Sequence, residues 1–276
     1  MAILYCYTAV IGLCIGSFLN VVIYRVPNRM SIVRPASHCP KCGKPLKKYD
    51  NIPVLSWVLL GGRCRFCGNK ISVRYPAVEL LNMLLWLLCL QCYAGRSLLF
   101  AFVAMAACSV LICVAFIDYD HMIIPDRFNL ALLFLGAAAI FTNDGIRWLD
   151  RVIGCVGALL FFLLLFYGSI WILKREGLGG GDVKLMAAAG LLLGWKNVFA
   201  AIFIAALTAC IIMIPLQKLN AEKQRALPEN KENKPDDEDA QKSKEFPFGP
   251  FLTFGIAIAL LFGTQLMNWY LGLFGL

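Results

Sequence analysis

Residues 98–117 read LLFAFVAMAACSVLICVAFI, and the next residue is Asp118. Twenty uncharged residues in a row, at about 1.5 Å of rise each, cross roughly 30 Å of hydrocarbon as a helix. A membrane barrel would need alternating segments of about ten residues, and this run does not alternate. Outward from it, apolar runs recur near 2–24, 77–94, 128–142, 151–173, 183–194, 197–216 and 250–273. The run at 183–194 is short and rich in Ala, Gly and Leu. The 276 residues are 60% hydrophobic and 16% charged, too few polar groups to clothe a soluble domain. The expected fold class is therefore all-α: a polytopic helical membrane protein of about eight spans, with seven as the main alternative count.

The run at 2–24 has no basic segment before it and no small-residue cleavage site after it. It is read as a retained first transmembrane helix rather than a signal peptide. Two polar stretches break the hydropathy pattern. Residues 25–76 form a Cys-, Pro- and Lys/Arg-rich domain, and 217–247 form a polar loop inside the membrane domain at 77–276. Residues 228–245 carry almost no apolar side chains, the composition of a loop without a core. Its acidic run at 236–239 reads as a solvated tip.

Charge sets the topology. Segment 25–76 holds eleven Lys/Arg and one acid, Asp50. With eight spans and that segment inside, Arg127, Lys174, Arg175, Lys184 and the seven basic residues of 217–247 join it, which makes 22 of 26 basic residues. Arg96, Arg147, Arg151 and Lys196 remain outside. The positive-inside rule then places both polar segments in the cytoplasm and both termini outside. The same rule accounts for the net charge of +9, so no nucleic-acid partner is expected.

Ionisable groups at the edge of a spanning helix cost free energy and mark candidate sites. Asp118 ends the 98–117 run, ahead of Tyr119-Asp120-His121-Met122-Ile123-Ile124-Pro125-Asp126. Asp182 follows Gly179-Gly180-Gly181 and opens the 183–194 run. Eight spans put both acids on one side at similar depth. Two close carboxyls sharing one proton can activate water and polarise a peptide carbonyl. The glycines before Asp182 permit unusual backbone angles or close approach of another chain. Taken singly, each acid could merely end a helix, Asp182 as an N-cap. Asp120 and Asp126 are possible substitutes for Asp118. His121 reads as interfacial, and Lys184 as a snorkelling residue able to bias the carboxyls.

Of twelve cysteines, eight lie in apolar runs as small hydrophobes, Cys89 and Cys92 among them despite their CxxC spacing. Cys39-Pro40-Lys41-Cys42-Gly43 and Cys64-Arg65-Phe66-Cys67-Gly68 are matched knuckles with the spacing of a tetrahedral zinc site. In a reducing compartment zinc is favoured over disulfides. Four protein ligands leave no open position, so Zn2+ at Cys39, Cys42, Cys64 and Cys67 is expected to be structural.

These residues together resemble the type IV prepilin peptidases, or prepilin leader peptidase/N-methyltransferases, of the GxGD-type intramembrane aspartyl proteases. The likeness spans almost the whole chain. It rests on Gly16-Ser17-Phe18-Leu19-Asn20-Val21-Val22-Ile23-Tyr24-Arg25-Val26-Pro27, the knuckles framing Tyr49-Asp50-Asn51-Ile52-Pro53, and Arg74-Tyr75-Pro76 leading to Glu79. The Asp118 to Asp126 segment and Gly179-Gly180-Gly181-Asp182 complete it. The resemblance implies cleavage of the basic leader from prepilins and pilin-like proteins of type IV pili or type II secretion, at the cytoplasmic face of the bacterial inner membrane. It implies Asp118 and Asp182 as the catalytic pair. It also implies methylation of the new N-terminus from S-adenosylmethionine, in a pocket between the cysteine loop and helix ends. Glu79 and Asn20 are candidate polar neighbours of that membrane site, or helix-packing groups. A peptidase without methylation and a proton-coupled transporter are the alternatives. Oligomeric state is left open.

Overall fold

The structure is a computed structural model that describes residues 1–143, 145–174, 178–226 and 247–273. Eight long helices occupy the eight expected apolar runs. They are α1 (Ala2–Arg25), α3 (Arg74–Tyr93), α4 (Leu98–His121), α5 (Asp126–Thr142), α6 (Trp148–Leu173), α7 (Gly180–Leu193), α8 (Trp195–Ala226) and α9 (Gly249–Leu273). A one-turn helix, α2 (Leu55–Leu59), lies in the cysteine segment. Among the described residues there is no β-strand, only the isolated bridges His38 to Pro45 and Arg63 to Lys70.

Six of the eight are long and apolar enough to cross a membrane. The other two are α5, with 17 residues, and α7, with 14. At about 1.5 Å per residue α7 is roughly 21 Å long, short of the hydrocarbon thickness. It is nonetheless mostly buried, from Asp182 to Leu193. It packs against α5, α6, α8 and α9, so protein rather than lipid surrounds it.

α4 is the centre of the bundle. Phe100, Ala104, Met105, Cys108, Val114 and Ile117 are buried along it, and it touches α1, α3, α5 and α9. By contrast α6 and α8 are buried over only 17% of their apolar windows. Trp171 and Phe203 point outward from them, which suits helices whose solvent is lipid.

Without a hydrophobic force between helices in lipid, close contact and buried hydrogen bonds hold the bundle. A Cβ on Gly16 would lie 2.6 Å from the Glu79 Cα, so only glycine lets α1 reach α3 there. Gly154 and Gly190 bring α6 and α7 into backbone contact in the same way. Asn82, fully buried, donates to the Gly12 carbonyl at 2.7 Å and accepts from the Ser109 hydroxyl at 2.7 Å. Ser109 accepts in turn from the Trp86 indole at 2.9 Å, linking α1, α3 and α4.

α8 runs on past Pro215 to Ala226, so residues 217–226 of the expected polar loop are helical. The rest of that loop, apart from Pro247, lies outside the described residues, as does its acidic run.

Candidate active site

The last turn of α4 carries Asp118, and the first turn of α7 carries Asp182. Both are buried, 6% and 7% exposed, and their carboxyls are near enough to feel one another's charge. α4 ends one turn after Asp118, where Met122 turns left-handed and its N–H closes on the Asp118 carbonyl at 2.8 Å. α7 is capped by Gly179, whose carbonyl accepts the Asp182 N–H at 3.0 Å. Asp182 therefore sits inside the first turn and is not the N-cap. Its Oδ1 is buried without a hydrogen-bond partner, free for an incoming group.

None of Gly179, Gly180 and Gly181 has a positive φ, so unusual backbone angles are not what the run supplies. The requirement is steric. A Cβ on Gly181 would lie 2.9 Å from the Ile124 Cβ, and Gly181 thus admits the α4–α5 connection against α7.

A third element enters that sequence reading missed. The Gly249 N–H, at the N-terminus of α9, donates to the Asp118 Oδ2 at 2.9 Å. A helix N-terminus presents free N–H groups and favours negative charge. A Cβ at Gly249 would fall 2.5 Å from that oxygen. The signal was local: Phe248-Gly249-Pro250 opens a spanning helix with a glycine and a proline.

The other candidates go elsewhere. Asp120 pairs with Arg74 at 2.6 Å, and Arg74 also stacks over the Phe116 ring. Asp126 pairs with Lys184 at 2.7 Å, both exposed. His121 is exposed. Glu79 is buried and accepts the Val54 N–H at 2.7 Å. Val54 has a φ of 58°, an unfavourable angle for a β-branched residue, and this bond helps to hold it. Asn20 donates to the Tyr75 carbonyl at 3.1 Å. Glu79 and Asn20 thus tie the cysteine segment to α1 and α3.

The four loop cysteines converge, with all four Sγ atoms within 4.8 Å of one another. The two knuckles repeat one design. Gly43 and Gly68, at φ 68° and 69°, return their N–H groups to the Cys39 and Cys64 carbonyls at 2.9 Å. Such positive angles are open to glycine at little cost. The Asn69 backbone N–H, with its side-chain amide, lowers the Cys67 thiol to about 6. A backbone hydrogen bond from Cys42 lowers Cys39 as well. Cys42 is raised to about 11, with burial and the neighbouring Cys39 and Cys67 thiols outweighing a lowering backbone bond from Lys44. Beside them Asp50 is held below the usual carboxylate range by the Arg65 guanidinium, 2.7 Å away. In the membrane, Cys89 lies against Cys108 at 3.7 Å, buried among apolar groups.

Fold and site together define a helical integral membrane protein with a buried pair of carboxyls and a four-thiol cluster on the same side of the bundle. The chain belongs to the type IV leader peptidase family. The model of that family matches residues 105–214, and that of the bacterial Peptidase A24 N-terminal domain matches residues 10–93. The prepilin leader peptidase/N-methyltransferase of Aeromonas salmonicida is 34% identical over 286 residues, covering 94% of this chain and 91% of that protein. The Legionella pneumophila protein of that name is 32% identical, covering 98% and 95%. The Myxococcus xanthus one is 42% identical over 205 residues, 74% of this chain and 61% of that protein. No solved structure matches the chain.

Proposed function

We propose that this protein cleaves the leader peptide from prepilins and pilin-like proteins and then methylates the new N-terminal amine. One observation carries the peptidase half: two buried carboxyls, Asp118 and Asp182, lie at helix ends on one side of the bundle, within reach of each other's charge. Two like charges at short range do not both ionise cheaply, so the pair holds one proton between them. The ionised carboxylate takes a proton from water as the water oxygen attacks the scissile carbonyl carbon. The protonated partner donates to the carbonyl oxygen. The resulting tetrahedral species collapses as the leaving amine takes a proton. The Gly249 N–H fixes the Asp118 carboxyl during these steps.

Cys39, Cys42, Cys64 and Cys67 hold a structural Zn2+. With Zn–S bonds of about 2.3 Å, tetrahedral thiolates lie about 3.8 Å apart. The Cys39 and Cys67 sulfurs are 3.9 Å apart, so the donor set fits. The metal would bind the knuckles of a segment with few buried apolar groups and take no part in hydrolysis. S-adenosylmethionine, when bound, supplies the methyl group, and a cavity between α1 and the cysteine loop suits it. We place the protein in the inner membrane with its loop and acids facing the cytoplasm, since 22 of 26 basic residues fall on that side in the eight-span reading.

The test uses the purified protein in detergent with a pilin precursor and S-adenosylmethionine, and the product is weighed by mass spectrometry. Loss of the leader with gain of one methyl group is expected. Asp118→Ala and Asp182→Ala should each abolish cleavage while keeping the metal. Substantial cleavage by both variants would sink the pair assignment. Failure of the unaltered protein on several pilins, with solute flux through vesicles, would favour a transporter.

A further inference from the structure

The inner end of α1 and the cysteine segment enclose a cavity of about 380 Å³, within the range of small-molecule sites. Ser17, Phe18 and Arg25 line it from α1, and Ala36, Asn51 and Pro53 from the loop. Arg25 is 95% buried by the fold, at 5% exposure. Its guanidinium donates to the Ser31 and Pro35 carbonyls at 3.0 and 2.7 Å. Among the described residues it has no carboxylate partner. A buried cation without a counter-charge is costly, and guanidinium matches carboxylate geometry.

At the other end, the Ser17 hydroxyl donates to the buried Glu79 carboxylate, so an acid lies one hydrogen bond behind the cavity wall. The site therefore offers a cation for a carboxylate and an acid's field for positive charge. It adds the Ser17 hydroxyl oxygen as an acceptor, the Asn51 side-chain amide, and the apolar faces of Phe18 and Pro53.

We propose that this cavity is the binding site for the methyl donor, S-adenosylmethionine, with Arg25 taking its carboxylate. The inference rests on the methylation half of the proposed function. The ligand's needs are met in turn. The carboxylate meets Arg25 with the ammonium on the same carbon beside it, the sulfonium faces the Glu79 side, the ribose hydroxyls meet Ser17 and Asn51, and the base lies on apolar side chains. A basic leader peptide is a poor occupant, because the charged lining residue is itself a cation.

The probe is S-adenosylhomocysteine, the demethylated product, titrated calorimetrically into the full-length, metal-loaded protein in detergent. One site is expected. Ala36→Trp, on an exposed loop position, should fill the cavity and weaken binding at least tenfold, with unchanged metal content and thermal midpoint. Hydrogen exchange should slow on ligand addition in 14–25 and 31–37. Equal affinity in the variant, or protection elsewhere, would overturn the assignment. So would protection of these segments by phosphatidylglycerol micelles with none by the probe. A methylated product in the first two cases would leave the enzyme reading standing and remove only the site. Neither binding nor methylation by a chain that cleaves would end both.

Discussion

Replacing Gly249 by alanine should silence cleavage without unfolding the protein. The added Cβ would start 2.5 Å from Asp118 Oδ2 and 2.7 Å from its Cγ. Ordinary contact begins at 3.4 Å, so carboxyl or helix must give way by about 0.9 Å. The neighbour is a short acid side chain packed on α4, with no flexible end to swing aside. Displacements near 1 Å cost reacting groups about 100-fold in rate. The 2.9 Å bond from Gly249 N–H would be strained or lost as well. A hydrogen bond to a charged group is worth about 1.5–3 kcal/mol, which is roughly 10- to 150-fold. Both routes give about a 100-fold fall in kcat, with a smaller change in KM. Single-turnover cleavage of a pilin precursor, followed by gel, measures it. Gly180→Ala is the control, because nothing lies within 4 Å of its added Cβ. Cleavage by Gly249→Ala within threefold of the unaltered protein, with metal and thermal midpoint intact, would refute the claim that this contact sets the Asp118 carboxyl.

Other perturbations probe the loop and the bundle. Cys39→Ser should release the metal and expose 25–76 to limited proteolysis, and unchanged metal by atomic spectroscopy would refute the four-thiol site. Arg65→Gln should destabilise the loop at neutral pH, because Asp50 has its folded pKa lowered by Arg65. That stabilisation is present above the unfolded carboxylate value of about 3.9 and is lost as pH falls through the lower folded value. The gap in proteolytic resistance between variant and parent should therefore close as acid is added, and a constant gap would argue against it. Asn82→Leu breaks the link among Gly12, Asn82 and Ser109 and should cost about 1–2 kcal/mol in the membrane. Thermal unfolding in detergent would show it, and an unchanged midpoint would place the bundle's stability elsewhere.

The helical bundle was legible because an uncharged run such as 98–117 leaves a chain in lipid few alternatives to a helix. The knuckles were legible because CxxCG encodes its own turn. Gly249 was not legible in its role. Its meaning lies in a contact 131 residues away, and nothing local says which acid a helix terminus will face. Asn82 likewise reads as an isolated polar residue until α1 and α4 supply Gly12 and Ser109. The reach of α8 to Ala226 was hidden by a compositional change at 217, since a helix can leave the apolar phase and continue in water. Glu79 read more readily as helix packing than as a site acid, and its actual partner, the N–H of the strained Val54, lies in the loop where sequence does not show it.

The hydrogen bond between Gly249 and Asp118 also has a temporal side. The ribosome delivers α4 to the bilayer well before α9, and the acid waits through 131 residues of synthesis for its N–H donor. Until α9 inserts, Asp118 lacks the group that orients it. On the proposed pairing, an unfinished chain is a poor protease in a membrane full of other nascent helices, and competence arrives only when α9 takes its place.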